Sequence, residues 1–230
     1  MKDPRVVLIT GANGGLGTAV TRTFLDAGAA VFGVAREITA AEFPQPSFHA
    51  MTADVRTGAQ AADLAGQVLR EAGRIDTLVH LVGGFAGGQR VDETEDVAFD
   101  RMMDLNVRAA FHFCRAVLPA MRAQRGGAIV AIGSRTAVDP QPMLGAYSAS
   151  KAALVSLIRT IALEGKADGI TANVVLPGTM DTPANRAANP SVDPSRWVQP
   201  SHVAALLLHL TSPAAAGISG AVIPVYGGDL

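Results

Sequence analysis

The chain has 230 residues, of which 49% are hydrophobic, so it can bury one large core, and we predict a single domain over residues 1–230. Its net charge of −1 and scattered basic residues provide no field for nucleic acid or an anionic membrane. Cys114 is the only cysteine, so no intrachain disulfide can form, and we expect a core thiol in a reducing cytoplasm.

Targeting and membrane signals are not found in the sequence. No apolar run approaches the ~20 residues of a membrane span, and the run Val6 to Ile9 is too short for a signal peptide. No pattern indicates a metal site. We expect a small cytoplasmic protein with no membrane or nucleic-acid partner.

The first predicted unit is a strand, a glycine-rich turn and a helix. The β-branched run Arg5 to Thr10 leads directly into Gly11-Ala12-Asn13-Gly14-Gly15-Leu16-Gly17, and helical spacing follows from Thr18 to Ala27. Such glycines let a backbone approach a pyrophosphate at a helix N-terminus. A tight turn that needs positive φ is the plainer alternative, but four glycines in seven residues exceed that need.

A second strand, Ala30 to Ala35, ends at Arg36. In a dinucleotide site a carboxylate here binds the ribose 2′-hydroxyl, whereas an arginine accommodates a 2′-phosphate. Arg36 therefore favours NADP(H) over NAD(H). A solvated arginine at a strand end is the alternative.

The third and fourth strands are predicted at Phe48 to Ala53 and Asp76 to Val82. Asp54 follows the third strand, where it would reach an adenine amino group or cap the helix predicted from about Thr57 to Ala72. A second glycine-rich segment, Gly83 to Gly88, follows the fourth strand and suits close contact with a cofactor, or is a flexible loop.

One long helix is predicted from Glu93 to about Gln124, with Pro119 kinking or ending it. Its apolar stripe consists of Phe99, Met103, Ala110, Phe113 and Val117. Asn106 falls on that stripe, and a buried amide must find partners. It is either a satisfied structural amide or a group that positions a water or a lysine.

The fifth strand, Ala128 to Gly133, delivers Ser134 at its end, and Tyr147-Ser148-Ala149-Ser150-Lys151 opens the next helix. Tyr147 and Lys151 are four residues apart and share a helix face. A neighbouring ammonium favours phenolate, so we expect the Tyr147 pKa to be lowered and the phenol to serve as a general acid or base. A surface lysine beside a half-buried tyrosine is the alternative.

The last elements are a strand from Ile170 to Leu176, a helix from Ser201 to Leu210 and a strand from Ser219 to Tyr226. A polar segment from Ala184 to Pro200 lies between them and is interpreted as a substrate loop outside the regular elements. Strands that alternate with helices predict an α/β, doubly wound parallel sheet with ligands at the strand carboxyl ends.

Thr10-Gly11-x-x-x-Gly15-x-Gly17, Asn106, Ser134 and Tyr147-x-x-x-Lys151 occur in that order, and with them the chain resembles the short single-domain branch of the short-chain dehydrogenase/reductase family. The resemblance covers essentially the whole chain. It implies a Rossmann-type sheet of about seven strands with helices on both faces, and a substrate loop around residues 179–200.

The resemblance also implies roles. Tyr147 would donate the proton in carbonyl reduction, Ser134 would orient the carbonyl, Lys151 would lower the Tyr147 pKa and hold the nicotinamide ribose, and Asn106 would hold a relay water. The residues that it assigns to the cofactor are Gly11, Asn13, Gly14, Leu16, Arg36, Asp54, Val55, Gly83, Tyr147, Lys151, Pro177, Gly178, Met180 and Thr182.

Two departures from the family pattern stand out. His80-Leu81-Val82-Gly83 replaces the usual Asn-Asn-Ala-Gly after strand four, and we interpret His80 as a buried, hydrogen-bonded replacement. Tyr226 stands where an acidic residue usually precedes the final glycine pair.

We expect an NADP(H)-preferring oxidoreductase of a carbonyl or secondary alcohol, with 3-oxoacyl compounds as one option. The alternatives are an NAD-dependent alcohol dehydrogenase of the same family and a non-catalytic dinucleotide sensor. A homo-oligomer, a tetramer or a dimer, is expected to pack the helices 102–124 and 147–165 across an interface.

Overall fold

A computed structural model describes residues 4–55 and 57–228, and its centre is one parallel sheet. The seven strands lie in the order β3-β2-β1-β4-β5-β6-β7. Their bounds are β1 Val6–Thr10, β2 Ala30–Ala35, β3 Phe48–Thr52, β4 Thr77–His80, β5 Gly127–Ile132, β6 Ile170–Pro177 and β7 Val222–Val225. The doubly wound sheet expected from the sequence is confirmed.

The described residues form seven α-helices, most of which pack against the two faces of the sheet. They are α1 Gly17–Asp26, α2 Gly58–Ala72, α3 Asp96–Met103, α4 Ala109–Gln124, α5 Gly145–Gly165, α6 Pro183–Ala188 and α7 Pro200–Leu210. One core packs α2, α4 and α5 against the sheet, and a second core packs α1 and α7 against the opposite face. Both faces of the central strands are therefore buried, which explains their continuous apolar runs.

The order of the strands determines where a ligand can bind. The chain moves outward from β1 to β2 and β3, then returns to place β4 on the other side of β1. The crevice at this reversal, outside the strand carboxyl ends, is where doubly wound sheets bind ligands. The loops that follow β1 and β4 line it.

The single long helix predicted from Glu93 to about Gln124 begins later and is divided into two α-helices. Val91–Glu93 is a separate 3-10 turn, α3 begins at Asp96, and a π-helical turn, Asp104–Arg108, joins α3 to α4. The wider turn shifts the buried stripe, so Met102 is buried instead of Met103, and Phe99 remains 43% exposed. Pro119 lies within α4, which continues to Gln124.

Two other local expectations are corrected. The N-cap of α2 is Thr57, whose hydroxyl accepts from the Gln60 N–H, and not Asp54. The segment 184–200 contains regular structure, namely most of α6 and a 3-10 turn at Pro194–Arg196, and its Trp197 is buried. Among the helices of the described ranges, none has both the length and the apolarity to cross a membrane.

Candidate active site

The glycine-rich turn after β1 is held by main-chain hydrogen bonds, two of them to the neighbouring strand β2. The N–H groups of Gly11 and Ala12 both donate to the Val34 carbonyl, at 2.7 and 3.1 Å, and Gly14 N–H donates to the Gly11 carbonyl at 3.1 Å. Gly11 has a φ of +73°, which favours glycine. A Cβ on Gly17 would overlap the Gly11 carbonyl oxygen, so the backbone can adopt this turn only if residue 17 has no side chain.

The adenosine side of the crevice carries charges of both signs. Arg36 is exposed at the end of β2, and within residues 4–55 and 57–228 no hydrogen bond or ion pair engages it. Asn13 reaches across from the glycine-rich turn, and its Nδ2 donates to the Glu37 carbonyl at 2.6 Å and to Glu42 Oε2 at 3.0 Å. An exposed cation at the end of β2 and a carboxylate bound to the glycine-rich turn therefore both lie on this side of the crevice.

Asn106 fixes the loop that follows β4. Its side chain is fully buried, accepts from Gly84 N–H at 2.9 Å, and donates to the Gly84 carbonyl at 3.1 Å and to Ser150 Oγ at 2.9 Å. Ser150 in turn donates to the Tyr147 carbonyl at 2.7 Å. Asn106, which lies in the π-helical turn, thus connects the β4 loop to the first turn of α5.

His80 and Thr10 form a second connection at the same strand ends. The His80 ring is 1% exposed, and its Nδ1 lies 3.0 Å from Thr10 Oγ1, which also accepts from Leu81 N–H at 3.2 Å. Burial, and then the charge of Lys151, lower the pKa of His80 to about 3, so the ring is neutral. His80 is therefore buried and hydrogen-bonded, as the sequence analysis expects.

Tyr147, Ser134 and Lys151 come together between the end of β5 and the start of α5. Lys151 is 5% exposed, its Nζ donates to the Ile132 carbonyl at 2.9 Å, and it lies 5.9 Å from the centre of the Tyr147 ring. A Cβ on Gly83 would lie 3.2 Å from the same Nζ, so the β4 loop closes this side. Burial lowers the pKa of Lys151 to about 8.

The expected direction of the Tyr147 pKa shift is wrong for this structure. Burial raises the pKa of the phenol, and an interaction with the Ser134 hydroxyl opposes that shift without reversing it. The ammonium of Lys151 donates to the Ile132 carbonyl and lies over the Tyr147 ring, 5.9 Å from its centre. The phenol is therefore protonated at neutral pH.

The remaining residues assigned by resemblance lie along the same edge of the sheet. Gly178 N–H donates to the Val225 carbonyl at 2.9 Å, Met180 pairs with Val198 in a bridge, and the Thr182 hydroxyl caps α6 by accepting from Asn185 N–H. The side chains of Leu16, Val55 and Pro177 are buried. Asp54 follows β3.

A dinucleotide fits this edge of the sheet. The exposed face of the glycine-rich turn carries no side-chain bulk at Gly14 or Gly15, and the N-terminus of α1 lies directly behind it. A Cβ on Gly15 would lie 2.9 Å from Thr182 Cγ2, which places the loop after β6 opposite the turn. The residues present therefore suit a pyrophosphate at one end and a nicotinamide at the other.

Two contributors were missed by the sequence reasoning. The sequence shows Ser150 only as part of the tyrosine motif, although its spacing of three from Tyr147 places its hydroxyl near the Tyr147 carbonyl. It shows Thr10 only as part of the glycine-rich motif, whereas the bond from Thr10 to His80 joins residues 70 positions apart. No local pattern predicts a contact of that separation.

This arrangement defines a dinucleotide-dependent oxidoreductase, and comparisons with known proteins agree. The family model for short chain dehydrogenases matches residues 5–193. The chain belongs to the short-chain dehydrogenase/reductase family and is an NAD(P)-dependent enzyme of that family.

Relatives and solved structures extend the match. The chain is 37% identical to 2,3-dihydro-2,3-dihydroxybenzoate dehydrogenase of Escherichia coli over 78% of its length and 71% of that protein's. A family oxidoreductase from Burkholderia thailandensis is 36% identical, with a TM-score of 0.88 over 100% of this chain and 94% of the other. The 3-ketoacyl-(acyl-carrier-protein) reductase of Brucella melitensis, in complex with NADH, is 27% identical with a TM-score of 0.88 over 98% of both chains.

Proposed function

We propose that this chain interconverts a carbonyl compound and its secondary alcohol with NADP(H) as the preferred cofactor. The observation that carries the proposal is the cluster of Tyr147, Ser134 and the buried Lys151 at the end of β5, beside the β4 loop. A neutral phenol, a hydroxyl and a cation converge there, which are the groups that carbonyl reduction requires.

Each residue has a distinct task in this proposal. The nicotinamide supplies or accepts the hydride when it is bound. Ser134 donates a hydrogen bond to the substrate oxygen, and Tyr147, whose raised pKa keeps it protonated, gives that oxygen a proton. Lys151 stabilises the phenolate that forms. Asn106 holds Gly84 and Ser150, and so fixes the loop and the helix between which the substrate lies.

Replacing Tyr147 by phenylalanine tests the chemical step. We expect Tyr147→Phe to lower kcat by at least about 100-fold, the typical contribution of a general acid, with nucleotide affinity unchanged. Tyr226→Phe, which removes the hydroxyl of the chain's other tyrosine, is the matched control and should retain activity. Undiminished turnover in Tyr147→Phe would contradict the proposed mechanism.

The preference for NADP(H) rests on Arg36, whose exposed guanidinium has no hydrogen bond or ion pair to another described residue. The second candidate is an NAD-dependent alcohol dehydrogenase, and Glu42 favours it. Its carboxylate is held by Asn13 and by Thr39 N–H at 3.0 Å, close to the glycine-rich turn, where it would repel a 2′-phosphate.

Fluorescence titration of the purified protein with NADPH and with NADH separates the two candidates. We expect NADPH to bind at least tenfold more tightly, which is about 1.4 kcal/mol, and Arg36→Ser to remove that difference. Glu42→Gln should tighten NADPH and leave NADH nearly unchanged. Tighter binding of NADH by the unaltered protein would establish the second candidate instead.

We further propose a cytoplasmic homo-oligomer, a tetramer or a dimer. Phe111 on α4 is 42% exposed and Leu163 on α5 is 79% exposed, so both helices present apolar side chains that a partner copy would cover. Light scattering during size-exclusion chromatography measures the assembly, and a monomer at micromolar concentration would contradict the proposal.

A further inference from the structure

Two loops at the mouth of the site carry an unusual concentration of exposed apolar side chains. These mouth loops are residues 83–91, after β4, and residues 134–144, after β5. Of the nine large hydrophobic side chains exposed in the described chain, four lie on them: Phe85, Val91, Val138 and Met143. An exposed apolar patch beside a reactive group is typical of a ligand-binding surface.

The mouth loops contact each other and form one surface. Gly88 N–H donates to the Met143 carbonyl at 2.9 Å, and a Cβ on Gly145 would lie 2.9 Å from Val91 Cγ2. Met143 has a φ of +66°, a left-handed backbone that side chains rarely adopt. The backbone contact across the loops holds Met143 at the mouth with its side chain 43% exposed.

Phe85 connects this surface to the reacting groups. Its ring meets the Tyr147 ring edge-on, with centroids 5.0 Å apart and planes at 70°. The Phe85 side chain is nevertheless 68% exposed, so most of its face is open to solvent. A flat apolar ring seated on Phe85 would have its substituents within reach of the Tyr147 hydroxyl.

The charged side chains of the mouth loops are already paired. Arg90 Nε lies 3.3 Å from Asp92 Oδ1, and Arg135 Nε lies 2.9 Å from Asp139 Oδ2, while the Arg135 guanidinium also covers the Tyr226 ring at 5.1 Å. Capturing a phosphate or a carboxylate on either arginine would break an existing ion pair. These arginines therefore do not favour an anionic or carrier-linked substrate.

We propose that the substrate is a neutral cyclic ketone or its ring alcohol, held by stacking on Phe85 with Met143 and Val138 beside it. The inference rests on the proposed function, because it places the ring carbonyl at Tyr147 and Ser134. Phe85 determines specificity in this arrangement and takes no part in proton transfer.

Three ketones test the substrate class: 1-decalone, a neutral bicyclic ketone; the acetoacetyl thioester of N-acetylcysteamine; and acetoacetate. We expect kcat/KM for 1-decalone to exceed the other two by at least about tenfold. Phe85→Ala should lower it by about tenfold or more, since an aromatic contact area is lost, and leave acetoacetate nearly unchanged. Phe85→Leu, which keeps an apolar side chain without the ring, should fall between.

Phe99→Ala is the matched control, because Phe99 is also an exposed phenylalanine but lies on α3 outside the mouth loops. It should leave all three rates unchanged. Faster reduction of the thioester or of acetoacetate would overturn the inference. So would an equal loss on all three ketones in Phe85→Ala, because that result would mean that Phe85 only supports Tyr147.

A binding measurement separates this inference from the proposed function. Saturation-transfer NMR on the Tyr147→Phe variant reports whether 1-decalone binds without turnover, and the added Phe85→Ala change should raise the Kd for 1-decalone by about tenfold or more. If the unaltered protein reduces no ketone while 1-decalone still binds through Phe85, the proposed function fails and the substrate class stands. If ketones are reduced but 1-decalone does not bind, the substrate class fails alone.

Discussion

The loops after β1 and β4 lie side by side at the same crevice and are both rich in glycine, yet they are held in different ways. The turn after β1 is fixed by backbone hydrogen bonds from Gly11, Ala12 and Gly14. The loop after β4 is fixed by side chains from elsewhere, chiefly Asn106 and Thr10. The first loop is held mainly by main-chain hydrogen bonds, within itself and to the neighbouring strand β2, and the second mainly by side chains of residues distant in the sequence.

This difference explains which motif this chain keeps and which it changes. After β1, Gly17 leaves no room for a side chain, because backbone atoms of Gly11 and Ala12 occupy the space that a Cβ would need. After β4, where the family usually has Asn-Asn-Ala-Gly, the chain has His80-Leu81-Val82-Gly83. Asn106 and Thr10 bind main-chain groups of that loop, so most of its side chains can vary without loss of the contact.

The largest expected effect comes from disrupting the glycine-rich turn after β1. Gly17→Ala would force a methyl group into the Gly11 carbonyl, and we expect it to lower the free energy of unfolding by about 3 kcal/mol. Nucleotide binding should be lost with it, since the turn must move. Chemical denaturation and nucleotide fluorescence measure the two effects.

Gly66→Ala is the control for that change. Gly66 lies inside α2, and a Cβ there would meet only the flexible end of Arg70 at 3.3 Å. Alanine favours a helix over glycine by about 1 kcal/mol, so this variant should be slightly more stable. Equal stability of the Gly17 and Gly66 variants would contradict the steric explanation.

Disrupting the loop after β4 should lower the free energy of unfolding by less, and its main effect should be on kcat. Asn106→Ala removes the partners of the Gly84 N–H and carbonyl and of Ser150 Oγ, and we expect a loss of about 2 kcal/mol, because water can replace some bonds of the half-buried loop. The value of kcat should fall while the Kd for nucleotide changes little. Ser150→Ala, which removes one of these bonds, should lower the free energy of unfolding and kcat by less than Asn106→Ala does. If Asn106→Ala weakened nucleotide binding as strongly as Gly17→Ala, the distinction between the two loops would be contradicted.

The same difference governs what the sequence could predict. The fold, the glycine-rich turn and the Tyr147–Lys151 pair follow from short spacings, and the parallel sheet of about seven strands is confirmed. The partners of Asn106 lie 22 and 44 residues away and depend on a π-helical turn that no periodicity indicates. The predicted direction of the Tyr147 pKa shift is wrong for a related reason. The sequence shows the charged neighbour Lys151 but does not show that the phenol is buried.

The smallest effect, and the most specific, concerns His80. Its folded pKa of about 3 lies below the ordinary 6.5, so between these values the unfolded chain takes up a proton that the folded chain excludes. Stability should therefore fall as the pH drops from 6.5 towards 3, at up to about 1.4 kcal/mol per pH unit from this group. His80→Asn restores the amide usual in the family and should lessen that slope.

At pH 7 the same variant should differ from the parent by less than about 1 kcal/mol. The amide can still accept a hydrogen bond from the Thr10 hydroxyl. The substitution also removes His80 Nε2, which is buried without a hydrogen-bond partner among the described residues, and with it the cost of burying an unpaired polar atom. Urea denaturation at pH 7 and at pH 5 measures both quantities. Parallel stability curves for the two proteins across that range would mean that acid destabilisation arises elsewhere, and that His80 serves only as a packed ring against Phe113.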